Sequence, residues 1–171
     1  MSSTIFTPFT EEQLIPKEEK LEVLKKGKKF SIGIPKETCL HEKRLCITPD
    51  AVQVLVEHGH DIILEAGAGE GSFFTDLQFS EAGAQITTSQ AEVYGQDLVL
   101  KINPPTEEEM EFLKPNAYLV SALQINLRDK DYFKKLAEKK VNAIAFEFIM
   151  DEYRQLSLIR LIGEIAGGIS I

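Results

Sequence analysis

Short, almost continuously apolar runs alternate with helical patterns along most of this chain, and this alternation constrains its fold more than any other feature. Runs with so few polar residues are typical of strands that are covered on both faces. Because helical patterns separate them, the sequence predicts an α/β fold with a parallel sheet and helices on both faces. The runs are FSIGI (30–34), DIILEA (61–66), DLVLKI (97–102), AYLVSAL (117–123), NAIAFEF (142–148) and a weaker AQITT (84–88).

The predicted helices carry recognisable start signals. Thr48 precedes Pro49 and the pattern DAVQVLVEHG, and Gly59 is placed to end that helix. Ser89 precedes AEVYG, and Thr106 precedes EEEMEFL, whose three glutamates suit the positive end of a helix dipole. Further helical patterns lie at Pro16–Lys26, at Asn126–Lys140 and at SLIRLIGEIAGGISI (157–171). This last pattern continues to the final residue without a cap, so we expect the chain to be the front part of a longer protein.

Composition excludes several classes of function. The formal net charge is −8 over 171 residues, which argues against nucleic-acid binding because a polyanion requires a basic surface. No apolar run approaches the roughly 20 residues needed to cross a bilayer, and MSSTIFTPFTEEQ does not resemble a secretory signal. Cys39 and Cys46 form neither a CxxC motif nor a metal-ligand pair. A cytoplasmic protein is therefore predicted.

Two motifs are weak candidates for binding sites. GAGEGS (67–72) follows a strand, but the dinucleotide pattern GxGxxG would require glycine where Ser72 stands. We interpret this segment as a glycine-rich turn, with a phosphate-binding loop as the alternative. His58 and His60 flank Gly59, but no third clear ligand accompanies them, so no metal site is expected.

Arg44 is the strongest candidate by residue chemistry alone. It lies in the charged loop GIPKETCLHEKRLCITP (33–49), which follows the first predicted strand. Parallel α/β folds bind ligands beyond the carboxyl ends of their strands, and a guanidinium can hold a carboxylate with two hydrogen bonds. The alternative is an ordinary solvated arginine.

The segment GIPKETCLHEKRLCITPDAVQVLVEHGH resembles the N-terminal signature of the family that contains alanine dehydrogenase and the α-subunit of nicotinamide nucleotide transhydrogenase. EAGAGEGSFFTD, DLVLKINPP, AIAFEF and GEIAGG resemble later segments of that family in the same order. The resemblance implies a flavodoxin-like domain at residues 30–155, similar to the catalytic domain of formate and glycerate dehydrogenases. It also implies that 156–171 begin a helix leading to an absent NAD-binding domain. The resemblance does not cover residues 1–29, which the residue pattern predicts to be an N-terminal arm with a short helix.

The same resemblance implies roles for individual residues. Alanine dehydrogenases convert L-alanine, NAD and water to pyruvate, ammonia and NADH, and their carboxylate-binding arginine corresponds to Arg44. The family's lysine in a K-E-P segment corresponds to Asn103, with Lys101 two positions earlier as a substitute, and the catalytic histidine corresponds to Gln124. Amide side chains form hydrogen bonds but do not transfer protons near neutral pH. We expect Arg44, Lys101, Asn103 and Gln124 to bind substrate, with Lys36 as a weaker candidate.

Three functions follow from the resemblance. The first is an NAD-dependent dehydrogenase that acts on an amino acid or 2-oxo acid as a homo-oligomer. This chain alone would then be inactive, because hydride passes on the cofactor of the absent domain. The second is a transhydrogenase α-subunit, which also lacks the lysine–histidine pair and would require NADP and a membrane subunit. The third is a non-catalytic module that senses an amino acid or 2-oxo acid.

Overall fold

The computed structural model describes residues 28–169, which form a six-stranded parallel sheet. Its strand order is β3-β2-β1-β4-β5-β6, and every neighbouring pair runs parallel. The strands are β1 Ser31–Ile34, β2 Asp61–Glu65, β3 Gln85–Thr87, β4 Leu98–Leu100, β5 Tyr118–Ser121 and β6 Asn142–Ala145. The predicted α/β class and parallel sheet are confirmed. The order itself is that of the Rossmann fold rather than the flavodoxin order, and its direction of winding reverses between β1 and β4.

Six α-helices pack around the sheet within residues 28–169, and the three predicted N-caps are present. The helices are α1 Pro49–Glu57, α2 Asp76–Glu81, α3 Gln90–Tyr94, α4 Glu107–Phe112, α5 Lys130–Glu138 and α6 Ser157–Ile169. Thr48, Ser89 and Thr106 each accept a hydrogen bond from a backbone N–H in the first turn of α1, α3 and α4. Such caps satisfy donors that the helix itself leaves unpaired.

Two predicted elements have clearly different bounds in the structure, and one helix was not predicted. The helix predicted from Asn126 begins at Lys130, because the Asp129 carboxylate accepts the Tyr132 N–H at 2.9 Å and caps it there. The strand predicted over 142–148 ends at Ala145, and a 3₁₀ turn follows at Phe146–Phe148. Helix α2 was not predicted, although Thr75 and Gln78 form a capping box at its start. The helix predicted at Pro16–Lys26 lies outside the described residues.

Helices cover both faces of the sheet, as predicted. Ile32 and Ile34 of β1 pack into one core with Val52 of α1 and Phe79 of α2. Gly33, between them, points to the opposite face, where a Cβ atom would lie 1.9 Å from the backbone oxygen of Val93 in α3. A second core joins β4 and β5 to α3, α4 and α5. The two cores hold β1 and β4 rigidly beneath the loops that follow them.

Apolar side chains remain exposed on and around α6, including those of Leu161 and Ile165. Within residues 28–169, no helix has both the length and the apolar character needed to cross a membrane.

Candidate functional site

The loops that follow β1, β4, β5 and β6 lie side by side at the carboxyl edge of the sheet, because these four strands are neighbours. Adjacent strands are separated by about 4.8 Å, so the residues just after them share one rim. The reversal of winding between β1 and β4 opens a crevice at this edge, and such crevices bind ligands in doubly wound folds. All the predicted site residues except Lys36 and Arg44 follow β4 or β5, and those two follow β1.

Arg44 is held by a neighbouring carboxylate, that of Glu42. Glu42 Oε1 accepts from Arg44 Nε at 2.8 Å and from the Arg44 backbone N–H at 3.0 Å, and Oε2 accepts from Nη2 at 2.6 Å. These hydrogen bonds are the main reason that the pKa of Glu42 falls to about 2. Glu42 in turn raises the pKa of Arg44. The side chain of Glu42 is 10% exposed and that of Arg44 is 57% exposed, so the guanidinium is oriented while its outer edge faces solvent.

That outer edge retains donors for a ligand. A guanidinium carries five N–H groups in a planar fork, and Glu42 engages Nε and one donor of Nη2. The remaining donors on Nη1 and Nη2 have the spacing that grips a carboxylate with two parallel hydrogen bonds. The arrangement can therefore hold a carboxylate from the crevice side without displacing Glu42.

Asn103 connects the β4 loop to the Arg44 loop. Its Nδ2 donates to Glu37 Oε2 at 3.3 Å and to Glu42 Oε2 at 3.2 Å. The structure thus brings Asn103 and Arg44 onto the same carboxylate, Glu42. Only one of the two positions, Arg44, carries a positive charge, whereas the family's lysine would add a second at Asn103.

Lys101 lies below the crevice rather than in it. Its side chain is 1% exposed, and Nζ is 3.3 Å from Glu37 Oε2 and 3.5 Å from Glu109 Oε1. Glu109 also caps α4, where its Oε2 accepts the Thr106 N–H at 2.8 Å. Direct substrate contact by Lys101 stays a prediction, but burial between two carboxylates favours a supporting role.

Gln124 follows β5 in a left-handed conformation, with φ of 50°. Its backbone N–H donates to Glu147 Oε1 at 2.8 Å, and Glu147 lies just after β6. The other oxygen of Glu147 is buried and has no hydrogen-bond partner among residues 28–169. A non-glycine residue with positive φ is uncommon, and here the bond to Glu147 fixes it next to the crevice.

Lys36 is tied to the glycine-rich loop. Its Nζ lies 3.4 Å from Glu70 Oε2, and its backbone N–H donates to Glu65 Oε2 at 2.8 Å. The side chain is 47% exposed, so Lys36 stays a weaker candidate for ligand binding.

The glycine-rich loop supports the Arg44 loop. A Cβ atom at Gly71 would lie 2.8 Å from the backbone oxygen of Lys43, and the Ser72 hydroxyl donates to that same oxygen at 2.7 Å. The Gly67 N–H, at φ of 73°, donates to the Asp76 carboxylate at 2.9 Å. Because a protein carboxylate already uses this amide, the geometry favours the predicted turn over a phosphate-binding loop.

The two histidines and the cysteines have ordinary local partners. His60 Nδ1 accepts the Phe30 N–H at 3.2 Å, and His58 Nδ1 lies 2.7 Å from the Val54 oxygen. Within residues 28–169, no three His, Cys, Asp or Glu side chains converge as metal ligands do. Burial raises the pKa of Cys46 to about 12, so this thiol is not a nucleophile.

An apolar cavity of about 260 Å³ lies beneath α6, beside the crevice. Its lining includes Cys46, Leu100, Leu158 and the cation Lys101 but not Arg44, Asn103 or Gln124. Because Lys101 Nζ is already paired with the buried carboxylates of Glu37 and Glu109, the rim above β1 and β4 is the better candidate site for a carboxylate.

Four residues of this arrangement were not identified from the sequence: Glu37, Glu42, Glu109 and Glu147. Acidic side chains in loops and first helical turns are usually solvated, so the sequence gives no reason to place these four at a binding site. One usable signal is Lys101 itself, since a lysine within the apolar run DLVLKI requires a buried counter-charge.

The comparisons with known proteins identify the family of this chain. The family described as "Alanine dehydrogenase/PNT, N-terminal domain" matches residues 33–166. Alanine dehydrogenase of Staphylococcus saprophyticus is 41% identical over 139 residues, which cover 81% of this chain and 37% of that protein. Alanine dehydrogenase 2 of Staphylococcus aureus is 38% identical over 141 residues, 82% of this chain and 38% of that protein. The chain thus spans well under half the length of these curated relatives.

Solved structures resemble the fold as well. An L-alanine dehydrogenase structure superposes with a TM-score of 0.72 at 30% identity, covering 75% of this chain and 36% of the other. A transhydrogenase from Sinorhizobium meliloti gives a TM-score of 0.65 at 26% identity, covering 71% of this chain and 36% of the other. By sequence and by fold, the chain belongs to the alanine dehydrogenase/PNT family and corresponds to its N-terminal domain.

Proposed function

We propose that this chain is the substrate-side domain of an NAD-dependent amino-acid dehydrogenase that resembles alanine dehydrogenase. The observation that carries the proposal is the outer edge of Arg44, a solvent-facing donor fork in the loop that follows β1 and borders the crevice. The fork suits the carboxylate common to amino acids and 2-oxo acids. The relatives at 41% and 38% identity, which are named alanine dehydrogenases, support L-alanine and pyruvate as the first substrates to test.

The amide side chains at Asn103 and Gln124 restrict the mechanism. Both can donate hydrogen bonds to a substrate carbonyl and orient it, but neither can give or take a proton near neutral pH. Glu147 is the titratable group whose contact with the Gln124 backbone brings it to this rim. Arg44 and Asn103 therefore bind and orient, while proton transfer requires another group, supplied by Glu147 or by the rest of the protein.

The cofactor and the assembly belong to the same proposal. NAD would bind to a domain outside this chain, because the sequence contains no GxGxxG motif. Residues 156–171 would lead into that domain, and residues 30–155 would form the substrate-side domain. The protein would be cytoplasmic and homo-oligomeric. We expect the isolated chain to give no NADH turnover with pyruvate and ammonia, and clear turnover by it would contradict this division.

The experiment follows NADH oxidation by the full-length protein with pyruvate and ammonia, for wild type and Arg44→Ala. Arg128→Ala is the matched control, since Arg128 lies over the ring of Tyr132 rather than beside Glu42. We expect oxidation by wild type and by the control, and its collapse in Arg44→Ala. Equal rates in all three proteins would refute a role for Arg44.

A transhydrogenase domain is the second candidate, and the Sinorhizobium meliloti structure supports it. Such an enzyme passes hydride between two nucleotides and does not require an acid–base pair for a small substrate. Hydride transfer to an NADP analogue without pyruvate turnover would favour it. Tight binding of pyruvate or alanine with no turnover would instead favour a sensing module.

A further inference from the structure

We propose that Lys101 and Glu37 form a buried ion pair that positions Asn103 and Arg44, so that Lys101 acts as a positioning residue and not as a ligand of the substrate. This inference rests on the proposed function, because the residues that it positions are those proposed to bind the carboxylate.

Glu37 joins the two loops that border the crevice. It lies after β1, and its Oε1 accepts the Ile102 N–H at 2.6 Å. Its Oε2 accepts from the backbone N–H and from Nδ2 of Asn103, both at 3.3 Å. One carboxylate thus fixes the backbone of the β4 loop and the side chain at its end.

Lys101 supplies the charge that allows Glu37 to remain there. The side chains of Glu37 and Glu109 are 6% and 5% exposed, and Lys101 Nζ lies between their oxygens. Burial of two carboxylates without a cation is strongly unfavourable, and removing one partner of a buried pair leaves an uncompensated charge. The hydroxyl of Thr38, which donates to Glu109 at 3.1 Å, also connects this pair to the β1 loop.

Hydrogen bonds connect Glu37 to Arg44 through Asn103 and Glu42. Asn103 Nδ2 bridges Glu37 and Glu42, and Glu42 grips the guanidinium. A displaced Glu37 carboxylate would release Asn103, and Glu42 would then lose one of the donors that hold it. The outer edge of Arg44 would no longer be fixed toward the crevice.

A double-variant experiment distinguishes a positioning role of Lys101 from direct contact between Lys101 and the substrate. In the full-length protein, we would compare Lys101→Met with the double variant Lys101→Met/Glu109→Gln. Glutamine at position 109 keeps an acceptor oxygen for the Thr106 N–H and can donate to the Thr38 hydroxyl, while both oxygens of Glu37 still accept from Ile102 and Asn103. Lys114→Met is the control, because Lys114 pairs with Asp97 at the opposite end of β4, where both are exposed.

The readouts are KM for pyruvate and KM for NADH in each protein. We expect Lys101→Met to raise KM for pyruvate about tenfold or more, with KM for NADH within about twofold of wild type. The double variant should return KM for pyruvate to within about threefold of wild type, since one net buried negative charge remains, as in wild type, and Glu37 keeps its donors on Ile102 and Asn103. If Lys101 contacts substrate directly, the double variant cannot recover, because its ammonium is still absent, and that result overturns the proposal.

Two further outcomes keep the test decisive. Should Lys101→Met fail to fold, the double variant alone decides between recovery and loss of pyruvate affinity. Should wild type not use pyruvate, the proposed function fails, and a crystal structure of Lys101→Met then tests positioning separately. Unchanged bonds from Asn103 to Glu37 and Glu42 in that structure would refute the positioning role, and their loss would support it.

Discussion

Replacing Arg44 by lysine separates the charge at this position from its hydrogen-bond geometry. Arginine can hold Glu42 through Nε and Nη2 and still offer a two-donor edge to a ligand. A lysine ammonium keeps the positive charge, but as a point charge it cannot grip two carboxylates in bidentate fashion. The variant should therefore lose about one charge-assisted hydrogen bond to the ligand, which is worth roughly 1.5–3 kcal/mol.

That energy corresponds to a rise in KM of roughly 10- to 150-fold, since 1.4 kcal/mol is a factor of ten. Arg44→Ala should have a still higher KM for pyruvate, because it removes the charge and both donors. The assay is the initial rate of NADH oxidation by the full-length protein as the pyruvate concentration varies, with Arg128→Lys as the control. A KM for Arg44→Lys within twofold of wild type would refute the bidentate argument and leave only an electrostatic role.

Two other predictions concern stability and loop support. Because folding lowers the pKa of Glu42 from 4.5 to about 2, its stabilising effect is complete above pH 4.5 and is lost as the pH falls through about 2. With Arg44 57% exposed, solvent screening reduces this effect to about 1–2 kcal/mol. Urea unfolding should show Glu42→Gln less stable than wild type at pH 7 by that amount, with a smaller difference at pH 3, and an equal difference at both would contradict the assignment. Gly71→Ala should raise KM for pyruvate several-fold by pushing against the Lys43 backbone, whereas Gly163→Ala, with open space around it, should not.

The sequence predicted the layers of the fold but not the order of the strands. Continuous apolar runs such as DIILEA reveal a strand buried on both faces, and Thr48 and Thr106 mark helix starts by their side-chain chemistry. Strand order depends on which helices pack on which face. At Gly33, for example, only the structure shows the close approach of α3. Helix α2 was not predicted, because it has only six residues and its capping pair, Thr75 and Gln78, comes directly after a segment that reads as a glycine-rich turn.

The candidate site was predictable in its cations and amides but not in its carboxylates. Arg44, Lys101, Asn103 and Gln124 were all named from the sequence, and the structure places each at or directly beneath the carboxyl edge of the sheet. Glu42 is two residues from Arg44, but Glu37 is 66 residues from Asn103 and Glu147 is 23 residues from Gln124, so no local pattern connects these last two pairs. Only the fold shows that these pairs meet.

The charges at this edge indicate how the site selects its ligand. The two cations, Arg44 and Lys101, face three carboxylates, those of Glu37, Glu42 and Glu109. Since Lys101 is buried among them, it adds little attraction for an anion in the crevice, and Asn103 adds no charge where the family has lysine. Affinity for a carboxylate therefore depends on the orientation of one guanidinium fork more than on net positive charge. For that reason the contacts that orient Arg44 should matter to binding nearly as much as Arg44 itself.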